Sequence, residues 1–155
     1  MARRRIFLSI MWMLVIVSCE TPPPTIELSM SAQRDGGVIT ITGATDLRDG
    51  ALLGYELRHK DMNFDPETPI DMLFQEGRMT VSDGQYGVTV DIRNFEPGEL
   101  EVWVAFQMAF INSEIQQPNR IITQFGERGE LLEGPNVTEL GENGKRVEVT
   151  DYVIW

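Results

Sequence analysis

The stretch LEVWVAFQM, residues 100–108, decides the fold of this chain. Apolar side chains recur at every second position from Leu100 to Met108, which is the period of a β-strand. Trp103 and Ala105 fall on the opposite face, so this strand is expected to be covered on both sides. The turn at 96–99, Glu-Pro-Gly-Glu, sets its start.

Six further stretches carry strand signals. They alternate apolar with polar residues or are rich in β-branched residues, and turn dipeptides such as Asp49-Gly50 and Asn143-Gly144 separate them. Asp83-Gly84 predicts a hairpin between the fourth and fifth strands. The six predicted strands cover residues 26–30, 38–42, 53–57, 79–81, 86–92 and 147–155.

One short segment departs from this pattern. Pro118 and Gly126 bound residues 118–125, which suits one short helix or turn. Gly129, Gly134 and Pro135 predict a loop after it. The chain is therefore predicted to be all-β, an antiparallel immunoglobulin-like β-sandwich of about seven strands. A small closed barrel is the alternative fold.

The first residues, Met1 to Cys19, have the layout of an export signal. Three arginines precede an apolar run over residues 6–17, and Ile16-Val17-Ser18-Cys19 closes it. This segment resembles a bacterial lipoprotein signal ending in a lipobox. The resemblance implies that the Cys19 thiol is alkylated with diacylglycerol and that the chain is cut before Cys19.

The length of the apolar run supports a signal independently. Its twelve residues fit a signal-peptide core and fall short of the ~20 needed to span a bilayer. A plain secretory signal and an uncleaved anchor are the alternatives, and Arg4-Arg5 leaves twin-arginine export open. The predicted parts are a signal peptide at 1–18, a lipidated, proline-rich tether at 19–25 and a β-sandwich domain at 26–155.

Charge restricts the partners. The chain has 24 acidic and 13 basic residues, and loss of Arg3, Arg4 and Arg5 leaves a mature charge of 10 − 24 = −14. Such a surface is repelled by nucleic acid and by anionic lipid head groups. We therefore expect no nucleic-acid binding. Cys19 is the one cysteine of the chain, so no disulfide is expected within the domain.

A second resemblance concerns the domain itself. Thr42-Gly43, Asp46-Leu47, Asp49-Gly50 and Leu53 resemble the "TNLPDGT.L" stretch that opens a type of secreted bacterial β-domain. Arg48 stands where that pattern has proline. These motifs are turn residues, so the resemblance implies a fold and carries over no site residue.

Candidate site residues are few. His59 is the one histidine, and at the end of a strand it is expected to be a surface or partly buried residue rather than a catalytic one. Asp61, Asn63 and Asp65 alternate as oxygen ligands, like the opening of a calcium loop. Pro66 and Met72 depart from the EF-hand pattern, so the competing interpretation is a solvated acidic loop. No other cofactor is expected.

Two function classes follow. The first is an extracytoplasmic lipoprotein, held in the bilayer by acylated Cys19, that acts as a binding or accessory module for a protein or cell-envelope partner. Its place is the outer face of the cytoplasmic membrane or the outer membrane. The second class is a small extracytoplasmic hydrolase or calcium-dependent enzyme. The 24 acidic residues leave a carboxylate pair for glycoside hydrolysis as an alternative. The spacing of the acids does not identify which two would form that pair.

Overall fold

A computed structural model describes residues 25–60, 67–110 and 114–155. These residues form eight strands, one short α-helix and two single turns of 3₁₀ helix, at Ile70–Met72 and Gly141–Asn143. The elements are β1 (Leu28–Asp35), β2 (Val38–Thr45), β3 (Leu52–His59), β4 (Phe74–Thr80), β5 (Gln85–Asp91), β6 (Glu99–Phe106), α1 (Asn119–Phe125), β7 (Val137–Glu139) and β8 (Lys145–Ile154).

The strands form two separate antiparallel sheets. The smaller sheet has the order β1-β2-β5, and the larger has the order β4-β3-β6-β8-β7. This confirms the predicted all-β sandwich and shows that the barrel alternative is wrong for the described residues. In a constant-type immunoglobulin sandwich the fourth strand belongs to the sheet of the first, second and fifth strands, whereas here β4 pairs with β3.

Two predictions about the strands are corrected. The loop predicted after Pro135 contains β7, whose three residues are too short to show a period. The hairpin predicted at Asp83-Gly84 is a tight turn, with Asp83 and Gly84 at φ 52° and 70°, but it joins different sheets. Val81 N–H donates to the Ala51 carbonyl of the larger sheet at 2.9 Å, whereas Thr45 N–H of the smaller sheet donates to the Gly84 carbonyl at 2.9 Å.

The core fills the space between the sheets, and β6 is covered on both faces as predicted. Val102 and Val104 face the core with no exposed area, and Trp103 on the other face is 7% exposed. The predicted helix is present as α1, and its Phe125 ring packs edge-on against Phe106 at 5.3 Å between centroids. Gly126 ends the helix at a φ of 88°.

Two tyrosines lie across glycines of neighbouring strands. A Cβ on Gly77 would lie 2.5 Å from the Tyr55 ring, and a Cβ on Gly43 would lie 2.3 Å from the Tyr86 ring. The Tyr86 hydroxyl crosses Gly43 and donates to the carbonyl oxygen of Ser29 at 2.6 Å. Burial raises the pKa of both tyrosines. Each glycine therefore leaves the space that the tyrosine ring occupies, and the ring packs across the neighbouring strand.

The sandwich has two poles. Thr25 precedes β1 at one pole and forms a bridge with Glu133. β3 ends at His59 and β4 begins at Phe74, and the antiparallel register places both at the opposite pole. Among the described residues, no helix is long and apolar enough to cross a bilayer.

Candidate functional site

On the outer face of the larger sheet, charged and aromatic side chains of neighbouring strands lie in rows across the strands. We use "outer face" for the side chains of β4, β3, β6 and β8 that point away from the core. The strand register aligns them in three rows: Arg78–Gly54–Ala105–Glu148, Glu76–Glu56–Trp103–Thr150 and Phe74–Arg58–Glu101–Tyr152.

A cleft of about 290 Å³ lies on this face where β4, β3 and β6 meet. Gly54 leaves its floor open, because it has no side chain. A Cβ there would lie 3.5 Å from the Phe110 ring and 3.8 Å from the Gln107 amide nitrogen, which are ordinary contact distances. The walls are formed by Glu56, Glu76, Arg78, Trp103, Gln107 and Phe110, with the backbone of Tyr55 and Gly77 between them.

One side of the cleft is held by the cluster around Trp103. Its indole Nε1 donates to Oε2 of Glu148 at 2.7 Å, and the Thr138 hydroxyl donates to Oε1 at 2.7 Å. The Arg146 guanidinium lies 4.9 Å from the Trp103 ring centroid, and its Nε lies 2.7 Å from Glu148 Oε2 without the alignment of a hydrogen bond. Every charge in this cluster is therefore engaged.

The pKa of Glu148 reflects these contacts. Burial raises it, but the hydrogen bonds from Thr138 and Trp103 and the charge of Arg146 outweigh burial, so the pKa lies below its ordinary value. The carboxylate is thus held in its charged form and fixes the indole in one orientation.

A second ionic cluster lies on the outer face beside the cleft and meets it at Glu56. Arg58 forms an ion pair with Glu101 and lies 3.7 Å from Glu56 between Nε and Oε2. Burial raises the pKa of Glu56, Arg58 opposes that rise, and the nearby charge of Glu76 adds to it. The result is a carboxyl group whose pKa is above its ordinary value, next to a second carboxylate on the neighbouring strand.

Glu76 and Arg78 differ from the other charged groups of this face. Both are exposed, and neither forms an ion pair or a side-chain hydrogen bond with another residue of the described ranges. Arg78 lies over Phe110, with its guanidinium carbon 5.1 Å from the ring centroid. The cleft therefore offers one acceptor group and one donor group of opposite charge, two residues apart on β4.

His59 does not take part in this site. It is 4% exposed, so the expectation of a surface or partly buried residue is corrected to a buried one. Its Nε2 lies 3.3 Å from the Pro97 carbonyl oxygen, and a Cβ on Gly98 would lie 2.3 Å from that nitrogen. The imidazole packs beneath the 97–98 turn, which explains its burial. The described parts of the chain hold no cluster of three potential metal ligands.

Four residues singled out from the sequence, Cys19, Asp61, Asn63 and Asp65, lie outside the described residues. The lipidation site and the calcium hypothesis therefore remain predictions. Sequence reasoning missed Glu76, Arg78 and Gly54. The alternation of charges in Glu76-Gly77-Arg78, directly before the predicted strand at 79–81, was the available signal.

A larger groove of about 630 Å³ lies at the pole opposite Thr25. It is bordered by Pro69, Met72, Phe95 and Trp155, and the Trp155 indole donates to the Phe95 carbonyl at 2.8 Å. Its one cationic residue, Arg93, is already paired with Asp91. Because this groove has no unpaired cation among the described residues, the smaller cleft is the stronger candidate site.

The sequence matches no family model and no curated protein sequence. The chain is similar to two solved structures of OgpA from Akkermansia muciniphila, the wild-type protein and a catalytically inactive form in complex with an O-glycopeptide substrate. Each has 12% identity and a TM-score of 0.44. The matches cover 85% and 88% of this chain but 29% and 30% of those chains, so this chain spans less than a third of their length.

Proposed function

We propose that this protein is an extracytoplasmic lipoprotein, tethered through acylated Cys19, that works as a binding or accessory module and holds its partner in the cleft between β4, β3 and β6. The observation that carries the binding surface is the pair Glu76 and Arg78. Within the part of the chain that the structure describes, they have no ion-pair partner, whereas Arg58, Arg146 and Glu148 on the same face are all engaged.

Opposite charges that are exposed and unpaired favour a partner with complementary charges. A protein gains little stability from them, since exposed charges are solvated and contribute about 0–1 kcal/mol even when paired. They do contribute to recognition, because complementary charges steer encounter and reject partners of the wrong sign. The open floor at Gly54 adds room for a side chain or a small group beside them.

The short tether would set the orientation of the domain relative to the membrane. Residues 20–25 would reach at most about 19 Å in an extended conformation, at ~3.1 Å per residue. Thr25 is the last of them, so the Thr25 pole would face the membrane. The strands run from that pole to the opposite one, and the cleft would therefore open sideways on the sandwich.

A second candidate function is favoured by one observation. Glu56 and Glu76 are direct neighbours across β3 and β4, and the raised pKa of Glu56 is what a general acid requires. This pair would suit the alternative of a small hydrolase acting on glycosides. Hydrolysis of chromogenic glycosides that is lost in both Glu56→Gln and Glu76→Gln would support it, and no hydrolysis by the intact protein would exclude it for those substrates.

The anchor is tested by Cys19→Ser in the native host. We expect the variant to leave the membrane fraction or to remain unprocessed, because acyl chains contribute ~0.8 kcal/mol per buried CH₂. Full processing together with complete membrane retention would contradict the lipoprotein assignment.

The binding surface is tested by affinity capture from native membranes. The double variant Glu76→Gln with Arg78→Gln should lose a partner that the unaltered protein retains. Glu27→Gln with Arg48→Gln removes the same charges from exposed positions outside the cleft and serves as the matched control. Equal capture by both double variants would contradict the placement of the site.

A further inference from the structure

We propose that the partner contributes an extended peptide segment that adds to the free edge of β4 as an antiparallel strand, with a basic side chain opposite Glu76 and an acidic side chain opposite Arg78. This inference rests on the proposed binding function and names the class of partner.

Among residues 25–60, 67–110 and 114–155, the larger sheet ends at β4, and no described strand pairs with its outer edge. His59 N–H donates to the Leu73 carbonyl at 2.7 Å, and Val81 N–H donates to the Ala51 carbonyl at 2.9 Å. Since bonded and non-bonded pairs alternate in an antiparallel ladder, the odd-numbered residues of β4 bond to β3. The even-numbered ones, Phe74, Glu76, Arg78 and Thr80, direct their N–H and C=O groups outward.

Hydrogen bonds of Leu52 on β3 support the outward direction of the Thr80 backbone groups. Leu52 faces Thr80 in the register, yet its N–H donates to Oε1 of Gln117 at 2.9 Å and its carbonyl accepts from the Gln117 amide at 2.7 Å. The Leu52–Thr80 pair is therefore a non-bonded one. Thr80 keeps its backbone groups for the outer edge.

Two residues that direct their backbone groups outward also carry charges that have no ion-pair partner among the described residues. Glu76 and Arg78 both belong to the even-numbered set, and their side chains stand on the outer face beside the cleft. An added antiparallel strand would face each of them with one residue of its own. Opposite charges at directly opposed positions stabilise such pairs, whereas like charges destabilise them.

The other free edges of the described sheets lack this combination. On β5 the corresponding outward set is Gln85, Gly87, Thr89 and Asp91, in which Gly87 has no side chain and Asp91 is already bound by Arg93. On β1 the N–H of Ala32 donates to Oδ2 of Asp151 at 3.1 Å, so β8 covers that edge. The remaining edge, β7, has three residues. An extended segment with alternating charges therefore fits β4 best.

The test uses the intact protein in detergent solution and a blocked peptide as long as β4, with the sequence threonine–valine–glutamate–valine–lysine–valine–threonine. In the antiparallel register its glutamate faces Arg78 and its lysine faces Glu76. We expect saturable binding by titration calorimetry. A peptide with glutamate and lysine exchanged should bind about tenfold more weakly, because both pairs become like-charged.

Amide hydrogen exchange locates the peptide. Binding should slow exchange of the outward amides of Glu76, Arg78 and Thr80 and leave that of Thr89 on β5 unchanged. Thr80→Pro, which removes an outward donor and no bond to β3, should weaken binding while the melting temperature stays near that of the unaltered protein.

Each outcome decides the proposal. Absence of peptide binding, equal binding of the two peptides, or binding without slower exchange at Glu76 and Arg78 would overturn strand addition. If membrane capture still depends on Glu76 and Arg78 in that case, the binding function stands and the partner engages side chains alone.

Discussion

The indole of Trp103 donates a hydrogen bond of 2.7 Å to Glu148, which joins β6 to β8 on the outer face. Glu148 accepts a second bond from Thr138 on β7, so one carboxylate connects three strands. The Thr138 bond adds a side-chain link to the backbone pairing of β7 with β8. The carboxylate also gives the sheet a pH-dependent connection.

The first prediction concerns that connection. Glu148→Gln should lower the free energy of unfolding at pH 7 by about 1 kcal/mol, since charge-assisted hydrogen bonds become neutral ones. The pKa of Glu148 is lowered in the folded state, so its contribution is complete above about pH 4.5, the ordinary value. It is lost as the pH falls through the folded pKa.

Urea unfolding of both proteins between pH 7 and pH 3 measures this difference. Glu139→Gln, at an exposed position of β7, is the matched control and should behave like the unaltered protein. A difference that is independent of pH would contradict the assigned role of the carboxylate.

The second prediction concerns the tyrosine that crosses Gly43. Tyr86→Phe should cost about 1 kcal/mol, because it removes the 2.6 Å bond to the Ser29 carbonyl and keeps the ring. Gly43→Ala should cost about 3 kcal/mol or more, since its Cβ would lie 2.0 Å from the Ser29 carbonyl oxygen and 2.3 Å from the ring. Denaturant unfolding measures both costs, provided that the dependence of the free energy on denaturant concentration is the same for all variants. Equal costs would show that the Tyr86 ring does not pack on Gly43.

The third prediction separates two glycines of the larger sheet. Gly54→Ala should leave the melting temperature unchanged or slightly raised, because its Cβ meets only ordinary contacts at 3.5 Å and 3.8 Å. Gly77→Ala should be destabilising, because its Cβ would lie 2.5 Å from the Tyr55 ring. Thermal unfolding checks the pair.

Partner capture by the Gly54→Ala variant also tests whether the cleft floor belongs to the binding surface. Its methyl group fills part of the cleft floor without altering charge, so partner capture should fall although the fold is intact. Full capture by Gly54→Ala would mean that the floor of the cleft is not part of the binding surface.

The fold was predictable to the extent that its signals are local. The two-sided burial of β6 follows from the alternation at 100–108, and α1 follows from Pro118 and Gly126. The crossing at Asp83-Gly84 was not predictable, because the turn itself is the same whether its flanking strands pair with each other or with β3 and β2. That choice depends on long-range register.

The candidate site was hidden for the same reason. Glu76 and Arg78 read as ordinary exposed charges until the sheet order shows that β4 is an edge strand and that their neighbours are paired elsewhere. His59 was misjudged because its burial comes from the 97–98 turn, far away in sequence.

The fourth prediction retains the calcium hypothesis for Asp61, Asn63 and Asp65. With an incomplete ligand set, the dissociation constant should be about 10⁻⁴ to 10⁻³ M, and calcium should raise the melting temperature. Asp61→Asn with Asp65→Asn should abolish that shift. No shift at about 10 mM calcium, roughly ten times the weakest of these constants, would leave a solvated acidic loop.

The most direct test of the binding module is site-specific photocrosslinking in living cells of the native host. A benzophenone amino acid is placed at Thr80, an exposed position of β4 next to Arg78, and in a matched variant at Thr89, an exposed position on the outer side of the smaller sheet. We expect a discrete crosslinked product from position 80 and none from position 89. Products from position 89 alone, or the same products from both positions, would contradict this expectation.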